Sequence, residues 1–428
     1  MPEEFLQYVW EQRLFYHEGL ETTDGEVIEI FNQGIRNIHS GPDFFNARIR
    51  IGETTWAGNV EIHRKSSDWK LHNHQADKAY ENVILHVVEN ADADVLRSNG
   101  EKIPVMVMKY PPPLKFNYEK LLNSKSLIPC QAEFHKIDQL ELRIGFNRLL
   151  ISRLEERTSE ILTRLDENKG DWSETFYQLL SRMYGFKTNA LPMEILTKSL
   201  PLSILAKHKT GLFQIESLLF GQAGLLNDKL FGDDYYMSLR KEYGFLAKKY
   251  QLRSINPSLW KFMRMRPRNF PTIRLAQFAA LIFRSGGLFS KILEAESPEQ
   301  IEALFSFPPS PYWETHYQFN KLAENSPKPI GTASVDLIII NVIVPFLFVY
   351  GERQSKPHLK DRALDYLDRI PPEDNVVIRQ WRELGVTPVS AFDTQSLLQL
   401  RSRFCEKKNC LNCHAGNKII RTDLKKNK

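Results

Sequence analysis

The 428-residue sequence lacks the features that mark several large protein classes. It contains neither a GxxxxGK[ST] loop nor a GxGxxG loop, which argues against an ATP-driven helicase or a dinucleotide enzyme. Its N-terminus carries Glu3 and Glu4 where a secretory signal would be cationic. Its longest apolar run, 335–350, is interrupted by Asp336 and Pro345 and is shorter than the roughly 20 residues that cross a bilayer. We therefore expect a cytoplasmic protein without membrane association, in which this run forms a buried core helix.

An excess of charge of one sign is also missing from most of the chain. The sequence has 57 Lys and Arg against 52 Asp and Glu, a net charge of +5. Residues 401–428 carry nine basic and two acidic residues, a surplus of +7, which leaves −2 for the preceding residues. The basic balance is therefore a property of the tail. This tail is either a solvated, partly disordered end or an arm that contacts phosphate groups.

The N-terminal region combines one helix with several strands. The spacing of apolar residues predicts a helix within residues 3–18. From residue 26 to residue 108 the hydrophobic period becomes two, which predicts three strands, a short helix at 76–80 and two further strands. Residues 98–100, Ser-Asn-Gly, indicate a hairpin turn between the last two strands.

The remaining chain has a helical pattern. Three prolines at 111–113 predict the end of the first region, and beyond residue 137 nearly every apolar segment has a helical period. A chain of this length is too long for one ordinary core. We therefore expect an α+β protein with an α/β domain at 1–113, one or more helical domains at 114–400 and a basic tail with three cysteines at 401–428.

Carboxylates and histidines are concentrated in the predicted α/β domain. Glu61 and His63 are two residues apart on a predicted strand, so their side chains share a face. A two-residue turn at Gly52 would place Asp43 on the opposite face, whereas a three-residue turn would bring it beside Glu61. We predict the three-residue turn, because two carboxylates on adjacent strands can bind Mg²⁺ or Mn²⁺. His63 would then lie near a substrate phosphate.

Simpler interpretations and a different metal remain open for these residues. Asp43 can cap a turn after Gly-Pro, and His86 can be an ordinary core histidine. Histidines between the third and fourth strands can be surface residues of a loop. An alternative set of zinc ligands is His63, His72, His74 and Asp77. The number of such residues in one short α/β unit nevertheless favours a site.

Roughly residues 1–110 resemble the PD-(D/E)XK nuclease superfamily. The resemblance lies in two short motifs, Pro42-Asp43 and Glu61-Ile62-His63, and in the predicted order helix–β–β–β–helix–β. In that superfamily an aspartate follows a proline, and a glutamate stands two residues before a lysine. His63 occupies the place of the lysine here. The resemblance implies a restriction-endonuclease-like fold and hydrolysis of phosphodiester bonds, with Asp43 and Glu61 holding the metal.

The resemblance also implies supporting residues. Polar side chains after the third strand often face the site in that superfamily, and His74, Gln75, Asp77 and Tyr80 could match them. An acidic residue on the first helix often completes the metal site, and Glu11 is the best-placed candidate. The wider sequence, including its C-terminal cysteines, also resembles a family of uncharacterised bacterial proteins, which implies no activity.

The four cysteines suggest a second metal site. Cys405, Cys410 and Cys413 have the spacing C-x4-C-x2-C and are followed by His414, while Cys130 is distant in sequence. Nothing suggests secretion, so we expect a soft-metal site with Cys130 or His414 as the fourth ligand. The spacing slightly favours zinc over a [4Fe–4S] cluster, and free thiols are the remaining alternative. Some RecB-type nucleases of the same superfamily bind such a cluster through one distant and three C-terminal cysteines. Either metal would tie the chain end to the first domain.

A basic segment in the helical region could contact nucleic acid. Residues 260–274 contain five basic residues and no acid, with aromatic residues between them. This pattern suits phosphate contacts and base stacking. The candidate contacts are Arg264, Arg266, Arg268 and Arg274. The alternative is a basic connector whose arginines pair with acidic helices.

Together these patterns predict a metal-dependent nuclease that acts on DNA or RNA, with nucleic acid as its partner. Two alternatives stand beside this prediction. One is a nucleic-acid-binding or scaffolding protein without catalytic activity, built on a decayed nuclease fold. The other is a zinc-dependent hydrolase of small substrates. The sequence predicts no particular protein partner.

Overall fold

The computed structural model describes residues 1–227 and 232–424, and the chain divides into two compact units. Unit 1 consists of Met1–Gly145 and Leu400–Lys428, and unit 2 of Phe146–Gln399. The first unit continues past the prolines at 111–113 because these residues begin a helix. Proline is compatible with the first turn of a helix, where no intrahelical donor is needed. The C-terminal segment belongs to unit 1 instead of forming a separate part.

Residues 1–145 form a sheet and four helices. The helices are α1 (Glu3–Glu11), α2 (Asp68–Leu71), α3 (Pro112–Asn123) and α4 (Gln139–Ile144). The strands are β1 (Ile28–Asn32), β2 (Ile35–Arg36), β3 (Phe44–Ile51), β4 (Thr54–Lys65), β5 (Val83–Asn90) and β6 (Val105–Val107). The helix predicted at 76–80 is wrong: α2 is followed there by two short 3-10 turns, His74–Ala76 and Lys78–Tyr80.

The sheet is mixed. Its order is β1–β3–β4–β5–β6, and β2 also pairs with β3. The pairs β1–β3, β2–β3 and β3–β4 are antiparallel, whereas β4–β5 and β5–β6 are parallel. Buried and exposed residues alternate along β3, while β5 is buried along most of its length. This difference is expected between a strand with one covered face and a parallel strand with both faces covered.

A two-residue turn joins β3 to β4, so the predicted three-residue turn is wrong. Ile51 pairs with Thr54, which leaves only Gly52 and Glu53 in the turn. Gly52 has a φ of 57°, in the left-handed region that glycine adopts without steric cost. With this turn alone, Asp43 would lie on the wrong face of the sheet.

A β-bulge in β3 corrects the register. From the turn as far as Ala47, which pairs with Gly58, the pairing of β3 with β4 is regular. It then shifts by one residue, so that Phe44 pairs with Val60. Asn46 lies at this shift with a φ of 59°, a conformation that asparagine tolerates better than most residues. The bulge adds one residue to β3 and thereby restores the side-chain parity. Asp43 is consequently placed beside Glu61, as the metal-site prediction requires.

Unit 2 is mostly helical, as the periodicity predicted. Its helices are α5 (Phe146–Glu167), α6 (Trp172–Tyr184), α7 (Ala190–Ser199), α8 (Leu202–Leu205), α9 (Leu212–Gln222), α10 (Asp234–Tyr250), α11 (Pro271–Arg284), α12 (Leu288–Glu294), α13 (Pro298–Phe305), α14 (Thr332–Ile338), α15 (Val344–Arg353), α16 (Pro357–Arg369), α17 (Val376–Glu383) and α18 (Ala391–Leu400). A small hairpin is formed by β7 (His316–Gln318) and β8 (Lys321–Leu322).

The apolar run forms part of a longer helix than the sequence suggested. A π-helical segment, Ile339–Ile343, joins α14 to α15, so the helix runs from Thr332 to Arg353. Among the described residues it is the one helix long and apolar enough to cross a membrane by length and composition. About 67% of its most apolar window is buried, which is the behaviour of a core helix.

The C-terminal segment packs within unit 1. After α18 come a π-helical segment at 401–405, a 3-10 turn at 410–412 and α19 (His414–Ile420). Asn117 of α3 donates hydrogen bonds to the carbonyl oxygens of Ile419 (3.3 Å) and Thr422 (3.2 Å). Up to residue 424 the segment is therefore packed as part of unit 1 instead of forming a free basic arm. Residues 425–428, with three of its lysines, lie outside the described residues.

Candidate metal centre

Asp43 and Glu61 lie side by side next to the bulge. The backbone N–H of Asp43 donates to Glu61 Oε2 at 2.9 Å, and the N–H of Ile62 donates to Asp43 Oδ2 at 3.0 Å. Gln7 of α1 donates to Asp43 Oδ1 at 2.8 Å. Both oxygens of Asp43 and one oxygen of Glu61 therefore accept hydrogen bonds from the protein. The second oxygen of Glu61, Oε1, faces a group of histidines.

Two imidazoles lie next to this oxygen, and a third lies next to one of them. Glu61 Oε1 lies 3.5 Å from Nε2 of His63 and 3.5 Å from Nε2 of His74. Nδ1 of His72 lies 3.1 Å from His63 Nε2. Among the described residues, these histidines are the one trio of His, Cys, Asp or Glu whose ligand atoms all lie within 4.8 Å of one another. Three ring nitrogens therefore form one cluster, and the Glu61 oxygen lies beside two of them.

The segment after β4 places two of these histidines. His72 directly follows α2, and Asn73, with a φ of 60°, reverses the chain so that His74 can return toward β4. The ring of His74 stacks on Tyr80 with a centroid distance of 3.8 Å. The ring of Trp69, which is 1% exposed, packs edge-on against the same imidazole with a centroid distance of 5.3 Å. Aromatic packing thus fixes the orientation of His74.

Strand β5 contributes a fourth histidine behind the trio. His86 pairs with Glu61 in the parallel register, and its Nε2 lies 2.8 Å from Nδ1 of His63. This hydrogen bond occupies one ring nitrogen of His63 and leaves the other directed at the cluster, as in many metal sites. His74 Nε2 is buried without a hydrogen-bond partner. A bound cation would provide such a partner.

The two carboxyl groups, Asp43 and Glu61, both have raised pKa values. Burial raises the pKa of Asp43, although the hydrogen bonds from Ile62 and Gln7 oppose this shift. Burial and then the charge of Asp43 raise the pKa of Glu61 still further, and Glu3 of α1 adds to both effects. The pair therefore retains a proton near neutral pH. A metal ion bound here would displace it, since metal ligands must be deprotonated.

His63, His74 and His86 are neutral at physiological pH. Burial and the neighbouring imidazoles lower the pKa of His63 to about 2. Burial is also the largest cause that lowers the pKa of His74 to about 4 and of His86 to about 3. Neutral imidazole is the form that binds metals. His63 therefore cannot supply the positive charge beside a phosphate that a lysine in its place would supply.

The low pKa of His86 predicts a pH-dependent difference in stability. In the unfolded chain this imidazole takes up a proton as the pH falls through its ordinary pKa of 6.5, whereas the folded form stays neutral until about pH 3. The stability that neutral His86 contributes to the wild type is therefore lost as the pH falls from 6.5 toward about 3. A His86→Gln variant lacks this loss, so its unfolding free energy relative to wild type should rise by up to about 1.4 kcal/mol per pH unit below pH 6.

Urea unfolding in the presence of EDTA at pH 7.5, 6 and 5 measures this difference. The matched control is His39→Gln, because His39 is an exposed histidine of the same unit. Parallel stability curves for wild type and His86→Gln would show that the folded imidazole takes up its proton normally.

Two predicted supporting residues lie outside the converging atoms. Asp77 is exposed, and its Oδ1 accepts a hydrogen bond from the N–H of Ala79 at 2.9 Å, so it caps the following turn. Glu11 forms an ion pair with Arg36 at 3.3 Å, and none of the described contacts joins it to Glu61. The acidic residue of α1 that influences the carboxylate pair is Glu3. It lies at the opposite end of this helix.

The cysteines form a second buried group in unit 1. Each is 6–7% exposed, and none forms a disulfide. Burial is the main cause that raises the pKa of Cys130 and of Cys405. The thiols of Cys410 and Cys413 raise both pKa values further, and Cys130 adds to the shift of Cys405, so the four cysteines lie near one another. His414 is exposed. The fourth member of the group is therefore Cys130 and not His414.

The basic segment of unit 2 divides into exposed and buried arginines. The exposed members are Arg264, Arg266 and Arg268. Arg274 is only 7% exposed; it donates to Asn269 Oδ1 at 2.7 Å and lies 4.3 Å from the ring centroid of Phe186. Its predicted role as a nucleic-acid contact is therefore wrong, since its guanidinium is used inside the fold.

Comparison with known proteins gives a family without an assigned activity. No curated protein and no solved structure matches the chain. One family model matches residues 3–376, a range that includes the converging carboxylates and histidines and Cys130. The match ends before the other three cysteines, so it is shorter than the expected resemblance over the whole chain. By this match the chain belongs to the family described as "Protein of unknown function (DUF2851)".

Proposed function

We propose that this protein is a metal-dependent phosphodiesterase that acts on nucleic acid. The observation that carries the proposal is the clustering of the ring nitrogens of His63, His72 and His74. Two of these rings, His63 and His74, also lie 3.5 Å from Glu61 Oε1. A buried, neutral His63 and a half-buried, neutral His74 next to a carboxylate of raised pKa are poorly explained by stability alone, because the arrangement is costly without a cation.

The donor atoms favour a transition-metal ion over Mg²⁺. Mg²⁺ prefers oxygen ligands and retains several waters, whereas imidazole nitrogen suits Zn²⁺ and other first-row ions. The two carboxylates alone would favour Mg²⁺ or Mn²⁺, but both oxygens of Asp43 already accept hydrogen bonds. Because three ring nitrogens cluster here and one carboxylate oxygen lies beside two of them, we propose Mn²⁺ or Zn²⁺ as the ion.

An ion held here would polarise a phosphate oxygen and activate a water molecule. The protein side chains have distinct parts in this scheme. Asp43 is a positioning residue, because its backbone N–H holds Glu61 Oε2 and leaves Oε1 available. His86 is another, since it fixes the ring of His63 through Nδ1. His72 is exposed and marks the side from which a large substrate can approach.

The surrounding charge supports a polyanionic substrate. Exposed cations follow the site on β4 and in the segment after it: Arg64, Lys65, Lys70 and Lys78. Such groups attract the phosphate backbone of nucleic acid and could offset the charge that neutral His63 cannot. In unit 2, the three exposed arginines of the basic segment suit the same class of ligand.

Two alternatives each have an observation in their favour. Three clustered imidazoles are also the donor set of zinc hydrolases that act on small substrates. The histidine in place of the lysine favours a nucleic-acid-binding or scaffolding protein that has lost its catalytic activity. An activity assay separates the three possibilities.

Single- and double-stranded DNA and RNA, together with bis(p-nitrophenyl) phosphate, should be incubated with the protein and Mn²⁺, Zn²⁺ or Mg²⁺. We expect nucleic-acid cleavage with Mn²⁺ or Zn²⁺ that falls about 100-fold or more in Glu61→Gln and is unchanged in the control His39→Gln. Wild type that cleaves no substrate with any of the ions, or cleavage unaffected by Glu61→Gln, would contradict the proposal. Turnover of the small ester alone would favour the zinc hydrolase, and salt-sensitive binding without turnover would favour the scaffold.

A further inference from the structure

A groove of about 500 Å³ crosses the sheet of unit 1 beside the β-bulge. It spans the neighbouring strands β1, β3 and β4 and the residue that precedes β5. Its volume is in the range of pockets that bind a small organic group. The exposed residues that line it are Phe31, Asn32, Asn46, Arg48, Ala57 and Asn82, and we call it the Phe31 groove.

The Phe31 groove lies on the same face of the sheet as the candidate metal centre. Arg48 pairs with Ala57 across β3 and β4, and residues that pair directly share a face. Ala57 and Glu61 are four residues apart on β4, so their side chains share this face too. The rise of a strand places them on the order of 13 Å apart. One ligand that is a few nucleotides long can therefore reach both places.

An aromatic ring and two cations are combined at one side of the groove. The side chain of Phe31 is 43% exposed on the edge strand β1. The guanidinium groups of Arg48 and Arg50 lie over its ring, at 5.7 Å and 5.8 Å from the centroid. Arg50 also forms a surface ion pair with Glu29. Exposed contacts of these kinds are weak, so a base can compete for the ring and a phosphate for a guanidinium.

Three asparagines supply hydrogen-bonding groups to the groove. Their amides carry both donors and acceptors, the combination that pairs with the edges of unpaired bases. Oδ1 of Asn32 accepts a hydrogen bond from the N–H of Gly34 at 2.9 Å, so its NH₂ group is what it offers to a ligand. Gly58 brings Asn82 close to β4, since a Cβ at position 58 would lie 2.6 Å from the Asn82 carbonyl oxygen. The wall of the groove at this point therefore depends on a glycine.

We propose that the Phe31 groove binds an unpaired nucleotide of a single-stranded nucleic acid, with the base stacked on Phe31 and a neighbouring phosphate held by Arg48. The asparagine amides hydrogen-bond the edge of the base. A base inside a duplex cannot bind in this way, because its edge is paired and its faces are stacked on its neighbours. The inference rests on the proposed hydrolysis of nucleic acid and names its substrate as a single strand.

Binding to the full-length protein should be measured by fluorescence anisotropy in EDTA, where hydrolysis does not interfere. The probes are labelled single-stranded DNA and RNA, and the competitors are the matching duplexes and adenosine monophosphate. We expect Phe31→Ala to weaken binding of the single strand by about 10-fold or more, because the stacked base loses its platform. Phe31→Tyr keeps an aromatic face and should bind like wild type. The matched control is Phe116→Ala, since Phe116 of α3 is 66% exposed and lies outside the groove.

Arg48→Gln provides a readout that a purely structural role would not change. Each phosphate contact of a single strand adds about 0.7 to the slope of log Kd against log salt concentration, so this slope should fall by about that amount. Urea unfolding establishes that each variant is folded.

Equal affinity of Phe31→Ala and wild type for the single strand would overturn the proposal, as would a duplex that binds as tightly as the single strand. Adenosine monophosphate that binds as tightly as the strand would overturn it in favour of a free nucleotide. None of these measurements requires cleavage. Binding that depends on Phe31 in a protein that cleaves nothing would therefore contradict the proposed hydrolysis alone, whereas cleavage with binding unchanged in Phe31→Ala would contradict only the role of the groove.

Discussion

Replacing Glu61 with glutamine is expected to lower the affinity for Mn²⁺ by about 100-fold or more, although the metal-free protein becomes more stable. The variant loses the one carboxylate oxygen that faces the imidazoles, while its amide oxygen can still accept the hydrogen bond from Asp43. The gain in stability arises because an ionised Glu61 is unfavourable where it is buried beside Asp43.

The sign of this gain depends on pH. Because folding raises the pKa of Glu61, the wild type is most favoured when this group is protonated, and it loses stability as the pH rises toward the folded pKa. Glutamine does not ionise. In EDTA, Glu61→Gln should therefore gain on the order of 2 kcal/mol over wild type at pH 8, and the gain should shrink toward pH 5.

Isothermal titration with Mn²⁺ and urea unfolding at pH 5, 7 and 8 measure the two effects. The matched control is Glu53→Gln, since Glu53 is exposed in the turn between β3 and β4. Unchanged Mn²⁺ affinity in Glu61→Gln would remove this residue from the proposed metal site. Destabilisation of equal size at every pH would show that its buried charge is already compensated.

Replacing Asn46 with valine is expected to destabilise the protein by about 2 kcal/mol and to weaken Mn²⁺ binding. Asn46 has a φ of 59°, and a left-handed conformation costs L-residues about 1–2 kcal/mol, with β-branched side chains at the upper end. The bulge keeps Asp43 beside Glu61. A valine that pulls this position into regular strand geometry would turn Asp43 away from the pair.

Asn46→Gly is the matched variant, because glycine adopts a positive φ readily. It should bind Mn²⁺ with wild-type affinity and unfold within about 1 kcal/mol of wild type. Chemical unfolding and Mn²⁺ titration of both variants provide the comparison. Equal Mn²⁺ affinity in Asn46→Val and Asn46→Gly would mean that the bulge does not control the site.

A strand was predictable from the sequence where the alternation of apolar and polar residues alone determines it. The stretch that became β3 alternates apolar and polar residues because one face is buried, and this period of two predicts a strand within the region 26–108. The register was not predictable, since it depends on both the turn and the bulge. Gly52 is compatible with either turn length, and Asn46 looks like an ordinary strand residue until its φ is known.

The candidate site was predictable only in part, and the first helix illustrates why. Glu3, Gln7 and Glu11 are spaced by four residues and so follow one face of α1. The sequence therefore identifies the acidic face of the helix but not which of its ends lies near the sheet. In the structure Gln7 contacts Asp43, and Glu3, not Glu11, influences its pKa.

Contacts between distant segments were outside the reach of local patterns. His86 joins the site because β4 and β5 are parallel and Glu61 pairs with it, a register that no turn specifies. Likewise, the prolines at 111–113 start a helix because proline suits a first turn, although the same residues also end strands. The return of the C-terminal cysteines to unit 1 was expected only from their chemistry as metal ligands.

The most direct test of the proposed metal centre is a crystal structure of the protein grown with Mn²⁺, with anomalous diffraction data collected to locate the ion. We predict an anomalous peak within bonding distance of Glu61 Oε1 and of ring nitrogens of His63, His72 and His74. A crystal in which these imidazoles contact only one another, with Mn²⁺ absent or bound elsewhere, would contradict the account.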